Sequence, residues 1–489
     1  MKKIGVVFAI LVFSIVIVAV FSFLSSPSSD PEIFYVGVTY CGESVEEAKM
    51  LIEKVKNYTN VFCLQSGILQ HNVTAITEIG DYAVASGLGF IPSFGTMSYH
   101  PMKNWLDSYD GHWGDNFLGV YFGDEPAGKM GDGEMSFFDE ESQSTLRKQA
   151  DGSVSCQSSA NNFSTSIYYS SDETVLLQIS DDNGEDFVVD GELNPDYIYS
   201  ITKLYFFPNG TVTSEVTEYP NVLVEPNDVI VPSVGNHTVT KKILDRYNIT
   251  FTYEELMNTR PFQTYDEAAE RFIKECSITL EKYVPKQVFM TSDYALHWFD
   301  YKAGYQTILA QFGWNHTLAQ DIALVRGAAT LQNKTWGVII TWKYNNPPYL
   351  DSGAAIYDQM VLAYEAGAEY VLLFNYAQDM QGPYGTLQEE HFVALEQFWN
   401  NAVKSHNVKH ASTKAQAVLV LPQNYGWAMR NPNDKIWGLW GPDEKSQQIW
   451  KLSRSLLEEY GTGLDIVYDD PQFPVEGQYP QIHHWNQTD

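Results

Sequence analysis

The sequence predicts a (β/α)8 TIM barrel, an α/β fold, with a β-rich insertion after strand four and a small C-terminal α/β domain. Three observations predict it. Strand-like and helix-like runs alternate on both sides of a Ser, Asn, Asp and Gly rich middle, as a parallel sheet with crossover helices requires. The ends of those strands gather polar, acidic and aromatic residues, and in a parallel barrel such ends converge on one face. The 489 residues also leave room for a barrel of about 250 residues and further modules.

The amino terminus sets an expected compartment. Lys2 and Lys3 precede an uncharged run from Ile4 to Leu24, long enough to cross a hydrocarbon core about 30 Å thick. A cleavable signal has a shorter apolar region and a small-residue cleavage site. No Ala-x-Ala follows here, so residues 1–24 read as an uncleaved anchor; the alternative is cleavage around Ser25 to Ser29 and a secreted protein. The lysines before the span place the N-terminus inside and the body outside. Nine Asn-x-Ser/Thr sequons, from Asn57 to Asn486, agree with that side. Residues 25–32 read as a Ser/Pro linker.

Composition narrows the partners. Thirty basic against sixty-one acidic residues give a formal charge of -31, which repels nucleic acid and anionic membrane surfaces, so no nucleic-acid partner is expected. Abundant Tyr and Trp suit stacking on sugars, although most aromatics of a large core serve packing alone. Cys41, Cys63, Cys156 and Cys276 allow three disulfide pairings. Cys41 and Cys63 pair only if the fold brings them together, and are otherwise free thiols. No CxxC or His-rich spacing occurs, so neither a metal nor a cofactor is expected.

The first barrel half spans residues 33–127. Phe34 to Tyr40 reads as a strand, and Ser44 to Lys56 as a helix whose Ser44 and Glu47 have capping-box spacing. Asn60 to Gln65, Gly89 to Phe94 and the run through Tyr121 supply three further strands, with a helix at Val73 to Ser86. Residues 128–260 then read as antiparallel strands, among them Ser166 to Tyr169, Thr174 to Ile179 and Tyr199 to Phe207. Turns at Asp182-Asn183-Gly184 and Pro208-Asn209-Gly210 join them. This insertion is expected to overhang the barrel mouth as a lid, a carbohydrate-binding module or a glycosylated spacer.

Barrel text resumes over residues 261–410. A helix at Tyr265 to Tyr283 leads to strands at Gln287 to Ser292, Gln306 to Phe312, Trp336 to Trp342 and Glu369 to Tyr376. Helices fit at Leu318 to Leu331, Ala354 to Ala366 and Leu387 to Ser405. Residues 411–489 form the small α/β unit, with strands at Ala417 to Leu421 and Leu464 to Tyr468 and a helix at Ser446 to Tyr460 stopped by Gly461. The Trp-dense stretch from Asn424 to Trp440 is expected to pack the junction or cover the mouth.

The strand ends carry the candidate chemistry. Leu118 to Pro126 reads Leu-Gly-Val-Tyr-Phe-Gly-Asp-Glu-Pro, an apolar strand breaking into a loop with two carboxylates. Around Asp124 and Glu125 the other strand ends contribute Tyr40, Gln65, Ser93, Asp293, Gln311, Trp342 with Lys343, and Asn375 to Asp379. His297 and Trp298, in the segment after strand five, either line the mouth or are bland loop residues. Glu389 and Glu390 read as helix-dipole partners.

From about Phe34 to Ser405, without the insertion, this pattern resembles glycoside hydrolases of (β/α)8 fold. Gly-Asp-Glu-Pro is similar in place to the Asn-Glu-Pro of clan A retaining enzymes and equally to the Asp-Glu pair of substrate-assisted hexosaminidases. The resemblance implies Glu125 as general acid/base and Asp124 as the residue orienting a 2-acetamido group. The clan A nucleophile at the end of strand seven is missing, because Thr341-Trp342-Lys343-Tyr344 stands there. Three routes stay open. The substrate's acetamido group attacks, with Tyr294 or Tyr376 hydrogen-bonding it. Alternatively Asp293 or Asp379 is a second carboxylate, with a separation of about 5 Å for retention or about 6.5–9.5 Å for inversion. In the third, the barrel binds glycan without cleaving it. Lys343 would favour ionised carboxylates nearby, and Trp342 would floor a sugar or pack the rim. The C-terminal part resembles about half of the flavodoxin-like domain of barrel β-galactosidase relatives. The expected function is thus an extracytoplasmic glycosidase-type protein acting on a surface or external glycan, the alternative being a catalytically silent glycan-binding or structural surface glycoprotein.

Overall fold

The computed structural model describes residues 34–487, apart from 95–98, 110, 133–135, 140–143, 149–153, 159–162, 170–173, 182–187, 190–191, 194–197, 221–232, 236, 248, 259–263, 284–287, 315 and 377–383. The expected anchor and linker, the turn at Asp182-Asn183-Gly184 and Asp379 lie outside the described residues. Among the described residues no helix is long and apolar enough to cross a membrane.

In chain order the first half comprises β1 (Tyr35–Tyr40), α1 (Val45–Val55), β2 (Val61–Leu64), α2 (Val73–Ala85), β3 (Gly89–Phe94), α3 (Tyr99–Tyr109), β4 (Val120–Phe122) and α4 (Pro126–Asp132). Side-chain caps start the helices: Asn72 Oδ1 accepts the Ala75 N–H at 3.1 Å before α2. At α1 the Ser44 hydroxyl accepts the Glu47 N–H at 3.3 Å. The return half of the expected capping box is replaced by Tyr40, whose hydroxyl oxygen accepts the Ser44 N–H at 3.1 Å and whose O–H donates to Glu47 Oε2 at 3.0 Å.

The insertion supplies β5 (Ser136–Asp139), β6 (Ser144–Lys148), β7 (Val154–Ser158), β8 (Phe163–Tyr169), β9 (Val175–Asp181), β10 (Val188–Val189), β11 (Glu192–Leu193), β12 (Ile198–Phe206), β13 (Val212–Pro220) and β14 (Ser233–Gly235), then helices α5 (His237–Arg246) and α6 (Tyr253–Asn258). Eight strands form one sheet in the order β14-β13-β12-β9-β8-β7-β6-β5, and β10 and β11 pair separately. The hairpin joining β12 to β13 turns through Gly210 at φ 79°, with Asn209 Oδ1 accepting the Thr211 N–H at 2.9 Å. Val175, Leu177, Ile179, Leu204 and Phe206 form an apolar face covered by Leu256, Ile243 and Leu244 of the two helices. Leu439 of the Trp-dense segment packs on the same cluster.

The second half runs α7 (Tyr265–Tyr283), β15 (Phe289–Asp293), α8 (His297–Ala303), β16 (Thr307–Phe312), α9 (Leu318–Gln332), β17 (Thr335–Ile340), α10 (Gly353–Glu365), β18 (Tyr370–Leu373) and α11 (Glu389–Phe398), with a π-helical continuation over Trp399–Lys404. The segment of α8, read as loop from the sequence, is a short helix. All eight barrel strands are parallel and close in the order β1-β2-β3-β4-β15-β16-β17-β18. Val61, Cys63, Ile91, Tyr121, Met290, Leu309, Ile339 and Leu372, from seven of the eight strands, fill the interior, with Tyr35 of β1 packed against them. The outward residues, such as Val36, Val38, Phe62 and Leu64, are equally buried under the helices, which is why these strands read as unbroken apolar runs.

The C-terminal unit consists of β19 (Ala417–Leu421), α12 (Glu444–Tyr460), β20 (Leu464–Tyr468) and β21 (Gln481–His484), a parallel sheet in the order β20-β19-β21. Gly461 stops α12 at φ 53°. The sheet is fixed to the barrel through α9. Arg326 Nε donates to Asp465 Oδ1 at 2.8 Å, and its Nη2 donates to the Thr462 carbonyl at 2.7 Å and the Leu464 carbonyl at 3.2 Å. Tyr425, Trp427 and Trp437 are buried, and Trp437 packs on Phe299 of α8 at 4.6 Å, so this segment fills the junction. Cys41, Cys63 and Cys276 are free thiols; burial, more than any neighbour, pushes the Cys41 thiol up to about 12.

Candidate active site

Strand alternation sorts the strand-end residues. Side chains two apart share a face, so Gln65 follows inward Cys63, Ser93 follows Ile91, Ser292 follows Met290, and Gln311 follows Leu309. These make the polar top layer of the barrel. Gln65, Ser93, Cys41, Tyr121, Asp124, Phe374 and Tyr376 line a cleft of about 370 Å³ at that face.

Glu125 meets this layer at Gln311 because the chain turns sharply after β4. Gly123 and Glu125 both have positive φ, 67° and 54°, and a non-glycine residue in that region costs about 1 kcal/mol or more. The turn is pinned by the Glu125 N–H donating to the Ser292 carbonyl at 3.0 Å and by Thr291 Oγ1 donating to the Gly123 carbonyl at 2.9 Å. Pro126, whose missing N–H is harmless at a first helical position, then opens α4.

One hydrogen-bonded chain joins both carboxyl groups across three strands. Tyr121 O–H donates to Asp124 Oδ1 at 2.7 Å and lies 2.7 Å from Ser292 Oγ. Gln311 Nε2 donates to Ser292 Oγ at 3.1 Å and to Glu125 Oε1 at 2.6 Å. Lys129 donates to the Asp124 carbonyl at 2.9 Å and to Asp124 Oδ2 at 3.3 Å, and its Nζ lies 3.6 Å from Glu125 Oε2.

The electrostatics of the site act on Glu125 and Lys129. Burial first, and then the charge of Asp124, push the Glu125 carboxyl up to about 7, against the opposing pull of Lys129 and Gln311. Burial alone would lower Lys129, but Asp124 and Glu125 outweigh it and raise it. Glu125 is therefore substantially protonated near neutral pH and carries a proton to give.

The other expected site residues divide. Gln311 and Gln65 face the mouth, and the buried Gln65 Oε1 has no hydrogen-bond partner among the described residues. Trp342 lies in an aromatic cluster with Tyr376 at 5.1 Å, Tyr349 at 5.3 Å and Trp314 at 6.0 Å. Its buried Nε1 likewise has no partner among the described residues. Lys343 is held by Asp351 at 2.6 Å rather than by either acid of the cleft.

Tyr40, Asp293 and Asn375 fall on the outward phase. Tyr40 is committed to the start of α1. Asp293 is fully buried, its Oδ2 accepting the Ala127 and Gly128 N–H groups at 2.9 Å and its Oδ1 accepting those of Tyr294 and Ala295 at 2.7 and 3.1 Å. Burial raises it to about 6. Four backbone amides and the buried Asp300 carboxyl surround it, so it fixes the α4 start instead of presenting a carboxylate to the cleft. Gly128 is required for this approach, since a Cβ there would come within 2.2 Å of Asp293 Oδ1.

Asn375 is buried and its Oδ1 accepts the Thr386 N–H at 3.1 Å, tying down the segment after β18. Tyr294 packs beneath Arg430, whose guanidinium carbon is 5.2 Å from the ring centre. Both His297 and Trp298 are buried: Trp298 packs on Tyr468 of the C-terminal unit at 5.9 Å, while His297 Nε2 lies 3.0 Å from the Asp293 carbonyl and burial lowers it to about 4. Glu390 Oε2 accepts the Gly353 N–H at 2.8 Å at the start of α10, and Glu389 pairs with Lys54 at 2.9 Å.

Sequence reasoning missed Tyr121, Ser292 and Lys129, which wire the two acids together, and Glu43, which lines the cleft. Counting in twos from the barrel core would have found Ser292. Among the described residues no group of three or more His, Cys, Asp or Glu is placed to hold a metal ion. No protein-family model matches the chain, and no curated protein matches it either.

Proposed function

We propose that the protein is an extracytoplasmic glycoside hydrolase acting on a surface or external glycan, with Glu125 as general acid/base. The observation that carries this reading is a carboxyl group raised to about 7, held by Gln311 and standing next to Asp124, which lines the cleft at the barrel mouth. Such a group is protonated often enough at neutral pH to protonate a departing glycosidic oxygen, and ionises easily enough to take a proton back from water. Asp124, at the cleft wall and steadied by Tyr121 and Lys129, orients the sugar. With Asp293 saturated by backbone amides, the route that needs fewest further groups is attack by a 2-acetamido oxygen of the substrate. The outward placement of the body rests on Lys2, Lys3 and the uncharged run to Leu24, with the sequons.

A second reading, glycan binding without cleavage, is favoured by the Lys129 ammonium 3.6 Å from Glu125 Oε2 and by the strand-seven end, where Lys343 stands. Hydrolysis of a panel of aryl glycosides, N-acetylhexosaminides included, by the protein and its Glu125→Gln variant separates the two. Cleavage that the variant loses supports the hydrolase. Binding of the same sugars without cleavage supports the second reading.

A further inference from the structure

Beyond the cleft beside Asp124 lies a second depression of about 740 Å³, lined by Trp314, Lys343, Tyr344, Asn345, Asn346 and the Pro347–Pro348 pair. It shares no lining residue with the cleft, yet an aromatic wall connects the two. Tyr376 of the cleft meets Trp342 at 5.1 Å, and Trp342 meets Trp314 of the groove at 6.0 Å. Glu125 lines neither depression itself: Asp124 beside it lines the cleft, and Gln311, which donates to it, stands on β16 three residues before Trp314 of the groove.

The groove is built rather than incidental. Trp314 and Tyr344 are each 41% exposed, large rings left open to solvent beside the exposed Asn345, Asn346, Pro347 and Pro348. Trp314 is held at φ 51° and Tyr349 at φ 61°, conformations that non-glycine residues adopt only when the surroundings impose them. The constraint is backbone pairing. The Trp314 N–H donates to the Trp342 carbonyl at 2.7 Å, and the Lys343 and Tyr344 N–H groups donate to the Tyr349 carbonyl at 2.8 and 3.0 Å. Gly313 allows the approach, because a Cβ there would lie 2.4 Å from the Trp342 carbonyl oxygen. Under this wall the Trp342 Nε1 is a buried donor, and in the cleft the Gln65 Oε1 is a buried acceptor, neither with a hydrogen-bond partner among the described residues. Such groups are costly until a ligand or water supplies hydroxyls.

We infer that the site takes a neutral chain of several sugar residues, seated in the cleft on one side of Glu125 and along Trp314 and Tyr344 on the other, and so acts within chains rather than at their ends. This rests on the glycosidase reading above. Neutrality follows from the charges. Glu43 and Asp124 line the cleft, the whole chain carries -31, and the nearby cations Lys129 and Lys343 are each engaged by carboxylates. Open aromatic faces with amide and hydroxyl partners suit uncharged sugars.

The test uses chito- and manno-oligosaccharides of two to six residues, with oligogalacturonides as anionic controls, on the full-length protein in detergent. Affinities are measured in the Glu125→Gln background and products in the unmodified protein. Affinity of the preferred series should rise with length, oligogalacturonides should bind more weakly, and the hexamer should yield internal fragments. Adding Trp314→Ala should cut the hexamer-to-dimer affinity ratio about tenfold, a typical worth for one aromatic contact, with Tyr344→Ala acting in the same direction. Unchanged melting temperatures exclude misfolding of these exposed sites. Equal affinity for dimer and hexamer, or release of single end residues only, would overturn the inference and leave the hydrolase intact. Length-dependent binding without cleavage would overturn the hydrolase and the cutting mode while retaining the groove. No binding of any neutral chain would overturn both.

Discussion

At the scale of residues, Glu125 gives up stability for chemistry. Its carboxyl is raised above the ordinary value, so the neutral form is the one the folded protein favours. The contribution is fully present below the unfolded value of about 4.5 and is lost as pH rises through about 7. Glu125→Gln, which stays neutral, should therefore gain on the wild type between pH 4 and pH 8 by on the order of 2–3 kcal/mol. Urea unfolding of both proteins at the two pH values checks it, and a pH-independent difference would remove the neutral carboxyl. Tyr40 supplies the opposite case. Its hydroxyl serves Ser44 and Glu47, so Tyr40→Phe should lower stability by about 1 kcal/mol and leave oligosaccharide affinity unchanged in titration. The sequence shows which residues stand at strand ends, but the direction of each depends on register. Gln65 and Gln311 differ from Tyr40 and Asn375 only in phase.

At the scale of elements, the turn from β4 into α4 is the piece the site depends on. Gly-Asp-Glu-Pro is legible as a strand ending in a helix start, yet the residue that fixes it, Asp293, is far away in sequence. Two of its four backbone contacts, to Ala127 and Gly128, hold α4 and hence the strained φ of Glu125. Asp293→Ala would leave the Ala127 and Gly128 amides unpaired in a buried place, at a cost of about 3 kcal/mol or more. Thermal melts should show the loss, and any residual hydrolysis should fall more than substrate affinity does. Equal stability of the variant would contradict the capping role. The strands and most helices were legible because both barrel faces are buried, the helices repeat at helical spacing, and Ser44 with Glu47 marks the start of α1. Helix α8 was not, since His297–Ala303 is buried almost throughout and so lacks a polar face to give it a period.

At the scale of the whole molecule, the barrel is braced from behind by the C-terminal sheet. Arg326 and Asp465 form a buried ion pair completed by four carbonyls and by the Tyr479 hydroxyl at 3.0 Å from Asp465 Oδ2. Removing one partner of such a pair strands the other, so Arg326→Ala should destabilise the fold by about 3–5 kcal/mol. Calorimetry of the variant reads it, and a change below about 1 kcal/mol would mean that the sheet docks by apolar packing alone. The existence of this unit was legible from its strands and from Gly461, whereas its attachment was not. An arginine inside a helix gives no sign in sequence of which carboxylate it will meet.

The pH dependence of glycoside hydrolysis is the measurement closest to the central claim. With an aryl glycoside or chito-oligosaccharide that the protein cleaves, the rate should fall on the alkaline side with a limb near pH 7, where Glu125 loses its proton. Glu125→Gln should lose that limb and about 10²–10⁴ of the rate. A variant that keeps both the rate and the limb, or a protein that binds these sugars and cleaves none, would contradict the account.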